Sequence, residues 1–422
     1  MSIPHNFPRT VFFVFLALAF LGSRTAQADA VTDWNELANT VLLNVARGNA
    51  PSIVDLAYVH VAIYDAVNAI DGQHSVFAVV PRSPAHGASR EAAAAAAAYT
   101  VLKSFFPTQQ AYLDTVYSNY LLSLNHGITG GVAVGTEVAR TLLALRAGDG
   151  RNADMPYEFR PPGPGVYQIT PGAPSPPATP AAPWIAKMKP FAIESPSQFR
   201  AYGPPNLTSG QWAEDFNETK EFGALNGSRR TPEQTEIGLF FTEAGATQGS
   251  RSLRGFVASQ RDWSVTDSAR LFAQVYVTAA DSEIGCWDSK YYYNFWRPVT
   301  AIRTADIDSN DATPQDPDWL PLVVTPNHPE YPSAHGCTTG ALAYALEEFF
   351  GTTNVKFTLT STAVPGVPLA EHPFTNTRDI VKDVINARVY GGMHYRTSST
   401  HGSIIARNVA RWVSQRYFRP VR

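Results

Sequence analysis

Apolar residues recur at spacings of three and four along most of the chain, and strict alternation is rare, so the pattern predicts helices. Asp33, with Glu36 three residues on, predicts a helix start; Trp34, Leu37, Val41 and Val45 then share one face before Gly48 stops it. Ser52 opens a second helix through Ala57, Val61, Tyr64 and Ala66 to Gly72, and a third begins near Ser89 with the alanine run from Ala92 to Ala98. Alanine favours helix and lets neighbours approach closely, which predicts a packed helix there. Tyr112 to Leu124 and Val132 to Leu145 show the same spacing, with Gly127 and Gly148 as stops.

From Gly148 to about Arg230 the periodicity disappears. Proline recurs from Pro156 to Pro205, and regular structure is not expected. Trp184, Ile185, Phe191, Ile193 and Phe199 are interspersed, which predicts an ordered excursion lying against the helical body. Helices resume at Thr231, with Pro232 at the first helical position, and continue over Ser264 to Asn294, Gly336 to Phe350, Thr377 to Arg388 and Thr400 to Tyr417. Val355 to Leu359 is the one strand candidate. The expected fold is mainly α: two packed helical bundles with a long Pro-rich excursion between them, divided as 29–150, 151–230 and 231–422 within one catalytic unit.

At 422 residues the chain can bury a large core, and a formal charge of −3 gives no polyanion-binding surface, so nucleic acid is not an expected partner. Arg9 precedes an apolar run from Val11 to Leu21, followed by Ala26-Gln27-Ala28 and Ala28-Asp29-Ala30, which predicts a cleaved secretory signal over 1–28. The apolar core is short for a membrane anchor, which needs about 20 residues. No later segment reads as long and apolar enough to span, so the expectation is a secreted or periplasmic protein without stable membrane insertion. Export makes a bridge between Cys286 and Cys337 possible; two buried thiols are the alternative.

Three segments carry the candidate chemistry. Lys290 and Arg297 are seven apart, two helical turns while a helix lasts, and Pro298 places the arginine at a helix end. Trp287, Tyr291, Tyr292, Tyr293, Phe295 and Trp296 surround them, so the cations are expected to be buried and to need an anion. In Tyr331-Pro332-Ser333-Ala334-His335-Gly336 a turn enters an apolar helix, where Ser333 is an N-cap or a donor to a bound oxyanion. In Arg388-Val389-Tyr390-Gly391-Gly392-Met393-His394 glycines turn the chain at a helix end and a histidine follows; His401, seven further on, reads as the start of the last helix. Three cations, a hydroxyl and two imidazoles suit a tetrahedral oxyanion.

The order Lys-x6-Arg-Pro, Pro-Ser-x-His, Arg-x5-His resembles the vanadium-dependent haloperoxidases and the related type 2 phosphatidic acid phosphatase superfamily, over roughly Asp281 to Gly402. The segment Ala57 to Ile70, with His60, also looks like bacterial haloperoxidases. The resemblance implies that His394 binds vanadium, and that Lys290, Arg297, Ser333, the N–H of Ala334 and Arg388 hold the vanadate oxygens. His335 would act as acid–base and Lys290 would polarise a peroxovanadate. Hydrogen peroxide would oxidise a halide to hypohalous acid, which meets a small organic acceptor. Family members commonly have glycine at the position of Ala334, and many have an acidic residue where this chain has Ser398. The missing carboxylate favours the haloperoxidase over the phosphatase. His328 and Trp287 match residues near the halide and lean towards bromide or iodide over chloride; the alternative places His328 on a surface loop.

Three rival readings remain. Phosphate could occupy the same clamp in a secreted acid phosphatase with His394 as nucleophile. A zinc hydrolase is a weaker rival, since the chain has no His-Glu-x-x-His and no close histidine pair at metal-ligand spacing. A helical phosphate-binding protein would need neither His335 nor His394.

Overall fold

The computed structural model describes residues 29–170 and 180–421. The expected signal sequence, 1–28, lies outside the described residues. The chain begins with α1 (Ala30–Asn44), α2 (Asn49–Asp71), α3 (Arg90–Phe105), α4 (Gln110–Leu122) and α5 (Ile128–Leu145). After the excursion come α6 (Gly210–Gly223), α7 (Pro232–Phe240), α8 (Gly245–Ser259), α9 (Val265–Tyr293) and α10 (Pro298–Arg303). α11 (Ala334–Phe350), α12 (Thr377–Tyr390) and α13 (Arg396–Arg416) complete the helices. Between α11 and α12, β1 (Phe357–Ser361) and β2 (Ala370–Phe374) pair antiparallel, Phe357 opposite Phe374. The described residues are therefore mainly α.

Local chemistry sets the helix starts. Ser89 accepts from the Ala92 N–H, and Thr231 and Ser264 form reciprocal capping boxes with Gln234 and Asp267. α1 starts earlier than expected: Asp29 accepts from the Thr32 N–H at 2.9 Å and Thr32 returns the bond, so Asp33 sits in the first turn. α2 starts at Asn49 behind Gly48, and Ser52 is already helical. The expectation of no regular structure up to Arg230 fails at α6. Proline density ends at Pro205, and Ser209 caps α6 by accepting from Trp212 at 3.1 Å, with Trp212 and Phe216 buried. α8 is masked in sequence by its glycines, serines and threonine, and β2 by Pro373 and its charged residues.

α2 packs against α3, α5 and α9, and α9 packs in turn against α11 and α13. Contact between α2 and α9 thus joins the N-terminal helices to the group that carries the three segments. α2 and α5 are in fact long and apolar enough to cross a membrane, contrary to the sequence reading, with mean hydropathies of 1.4 and 1.3. In α2 the apolar character serves the core, since 89% of its most apolar window is buried.

Two buried aspartates tie loops to these central helices. Asp65 in α2 accepts the N–H groups of Phe77, Ala78 and Val79 at 2.8, 2.9 and 2.9 Å. Asp281 in α9 does the same for Phe191, Ala192 and Ile193 at 2.7, 2.7 and 2.9 Å. Trp184 and Ile185 are also buried, so this part of the excursion lies ordered against the body, as expected. Removing the Asp281 carboxylate leaves three buried donors unpaired, each costing about 1–3 kcal/mol. Asp281→Ala is expected to destabilise the fold by about 3 kcal/mol or more, read by urea unfolding, and to open new protease cleavage close to Phe191.

Candidate oxyanion site

Lys290 lies in the last turn of α9 and is fully buried. Its Nζ donates to the carbonyls of Pro329 at 3.0 Å, Glu330 at 2.9 Å and Pro332, so the loop before α11 takes all three ammonium protons. Burial depresses its pKa to about 8. Arg297 does not end the same helix. Asn294, in the left-handed region at φ 54°, closes α9, and Arg297 stands at the N-cap of α10 with Pro298 in first helical position. Its guanidinium donates from Nε to the His328 carbonyl at 2.9 Å, from Nη1 to the Met393 carbonyl at 2.9 Å and His394 Nε2 at 3.1 Å, and from Nη2 to His328 Nδ1 at 3.0 Å.

Ser333 is the N-cap of α11; its Oγ accepts weakly from the Gly336 N–H at 3.5 Å, and its own N–H donates to the Ser398 carbonyl at 3.2 Å. The α11 and α13 backbones meet here, since a Cβ at Gly402 would lie 2.6 Å from the Ser333 carbonyl. Ala334 adds a mostly buried methyl at the first helical position. His335, partly exposed, bonds the Phe241 carbonyl, while its Nε2 is buried without a partner. Arg388 donates from Nη1 to the same Phe241 carbonyl at 2.9 Å and from Nη2 to Met393 Sδ at 3.0 Å; its Nε has no partner.

α12 ends at Tyr390, and Gly392 turns the chain at φ 74°. A Cβ there would stand 2.4 Å from the Gly223 carbonyl oxygen, so glycine is required by conformation and by space. The turn delivers His394 with Nε2 towards Arg297 and Nδ1 2.8 Å from Glu330 Oε1. A guanidinium can only donate, so Nε2 is the acceptor and Nδ1 carries the proton.

Glu330 is the group that sequence reasoning missed. The carboxylate was sought at Ser398, and its absence there was counted against a phosphatase; a carboxylate nevertheless reaches His394 from another segment, and that argument falls. The available signal was an acidic residue amid prolines three positions before Ser333. His328 is buried, not on a surface loop, with its ring 5.2 Å from that of Trp287. His401 lies inside α13 and bonds the Tyr331 hydroxyl. Cys286 and Cys337 are buried free thiols, so the bridged alternative is not what the structure shows; Cys286 Sγ faces the Pro332 carbonyl at 3.7 Å.

Three buried cations therefore surround His394. Burial pulls Arg388 down to about 9 and Arg297 to about 10. His394 is held well below the usual imidazole range by burial and then by Arg297, Lys290 and Arg388. His335 is held down likewise, by burial and then by Arg388, Lys290 and Arg297. Both rings are neutral at pH 7. Burial raises Glu330 to about 7 against the pull of Arg297 and Lys290. Among the described residues no three or more His, Cys, Asp or Glu side chains are grouped to hold a metal cation. The donors fit an oxyanion instead: Arg388 Nε lacks a partner beside the buried charges of Lys290 and Arg297, while His335 Nε2 is an unpartnered acceptor and His394 Nε2 accepts only from Arg297.

A family model described as the VCPO second helical-bundle domain matches residues 270–422, which contain all three segments. The C-terminal part of the chain is thus similar to a vanadium haloperoxidase domain. It is 26% identical over 382 residues to the vanadium chloroperoxidase of Curvularia inaequalis, a match covering 70% of this chain and 60% of that protein. The likeness of fold to solved structures extends over most of the chain. A solved bacterial vanadium-dependent iodoperoxidase superposes with a TM-score of 0.76 at 22% identity, over 93% of this chain and 97% of that one. A holo-type bacterial vanadium-dependent chloroperoxidase gives 0.68 at 17% identity, over 93% and 94%.

Gly392→Ala is expected to cost about 2–4 kcal/mol, combining strain at positive φ with overpacking. Chemical denaturation reads the loss, and anion binding should weaken with it because His394 shifts.

Proposed function

We propose that this chain is a vanadate-dependent haloperoxidase that uses hydrogen peroxide to oxidise a halide to hypohalous acid. The observation that supports it most is convergence. Arg297, Arg388 and Lys290 are buried around a neutral His394 whose Nε2 lone pair faces the cations, inside the region matched by the family model. In this reading His394 Nε2 holds the metal, while Arg297, Arg388, Ser333, Lys290 and the Ala334 N–H hold oxygens. The chemistry vanadate supplies when bound is Lewis-acid activation of peroxide towards halide.

The chain's own groups divide the remaining work. Arg388 Nε and the Ser333 hydroxyl are free to donate. Lys290 acts first as a fixed charge, because donation to an oxyanion requires exchange of one of its three carbonyl partners. His335 is neutral and accepts a proton at Nε2 from incoming peroxide; a bound anion stabilises the resulting cation. Trp287 and His328, buried side by side, form the proposed halide contact and favour bromide or iodide. A small organic acceptor takes the oxidised halogen. Export to a secreted or periplasmic location rests on the first 28 residues.

The contact between Glu330 and His394 favours one second reading, an acid phosphatase in which His394 Nε2 attacks phosphorus and His335 protonates the leaving group. Purified apo-protein with and without orthovanadate separates the two: vanadate-dependent bromination is expected, and hydrolysis of a phosphomonoester without bromination overturns the proposal. His394→Ala should lose vanadate binding. His335→Ala should retain it and lose about 10²–10⁴-fold in turnover, read by equilibrium dialysis and steady-state rates.

A further inference from the structure

Glu330, two residues before Pro332, makes contact with both of the other segments at once. Its N–H donates to the Phe295 carbonyl at 2.9 Å, its carbonyl takes Lys290 Nζ at 2.9 Å, and its Oε1 accepts from His394 Nδ1 at 2.8 Å and from the Tyr395 N–H at 3.2 Å. The side chain is fully buried. The Tyr395 N–H fixes the carboxylate independently of the imidazole, so its position is set before the ring rests on it.

A helix supplies such a partner locally when an acidic residue follows the histidine by four, one turn on. Here that place holds Ser398, buried, with its hydroxyl beside the Glu330 carboxylate and its carbonyl engaged by the Ser333 N–H. The carboxylate therefore arrives from the loop before α11, across the site.

Resting on the oxyanion reading above, we propose that Glu330 is the positioning residue of His394. Its carboxylate holds the proton on Nδ1 and the ring plane in place, so that the Nε2 lone pair points at the anion, in substitution for the acidic residue absent at position 398. Two consequences separate this from a merely structural role. The wild-type ring must carry its proton on Nδ1, and loss of Glu330 must be compensated by a carboxylate restored at position 398. A residue that only fills space would be indifferent to both.

The test uses the full purified chain, with orthovanadate binding measured by equilibrium dialysis and folding checked by circular dichroism. Glu330→Gln is expected to weaken vanadate binding about 10–100-fold, the usual cost of removing a partner that orients a metal ligand. Glu330→Gln combined with Ser398→Asp is expected to recover most of that loss. Equal affinity of wild type and Glu330→Gln, or a double variant no better than the single, overturns the inference. Should Glu330→Gln fail to fold, long-range ¹H–¹⁵N correlation spectra of the histidine-labelled wild type decide: a proton on His394 Nδ1 supports it and one on Nε2 overturns it. A wild type that binds no orthovanadate refutes the vanadate reading instead, while the same spectra still test the role of Glu330.

Discussion

Burying a cation is costly unless backbone or anion replaces its water, and this fold buries Lys290, Arg297 and Arg388 together. The cost is met mainly by carbonyl oxygens. Lys290 takes three from one loop, Arg297 takes those of His328 and Met393, and Arg388 takes that of Phe241. Each carbonyl belongs to a connection between helices, so the charges organise the loops as much as the loops organise the charges. Glu330 is the carboxylate that faces this group, and cationic surplus remains for an anion.

The bundle supplies the rigidity on which this arrangement rests. α9 ends at Lys290's turn, α11 begins at Ser333, and α12 ends just past Arg388, so the site gathers helix termini, where unpaired backbone groups are available. Close approach of α11 and α13 at Gly402, and of the Gly392 turn to Gly223, leaves little room for the segments to slide. The relatives share this framework at low identity, in keeping with a geometry fixed by backbone contacts more than by surface residues.

Much of this was legible in the sequence. Helix-spaced apolar residues gave the mainly α fold, Ser89, Thr231 and Ser264 marked true helix starts, and Arg297, His328 and His394 do come together. Contacts between distant segments were not legible. Two-turn spacing placed Arg297 on the Lys290 helix because periodicity cannot see that Asn294 adopts a left-handed turn. The partner of His394 was sought four residues away because local spacing is all a sequence displays, whereas Glu330 lies 64 residues back. α2 and α5 were not read as long and apolar enough to span because Asp55 and Asp65 in α2, and Glu137 and Arg140 in α5, interrupt their apolar runs.

Asp65 and Asp281 set a limit on how this architecture can vary. Each inserts a carboxylate into three consecutive backbone N–H groups, fixing not only where a loop lies but how many residues it has at that point. One added or deleted residue near Ala192 would shift the register of donors away from Asp281. Length change among descendants of this chain is thereby directed elsewhere, to stretches such as Pro156 to Thr170, where among the described residues no carboxylate takes three consecutive N–H groups.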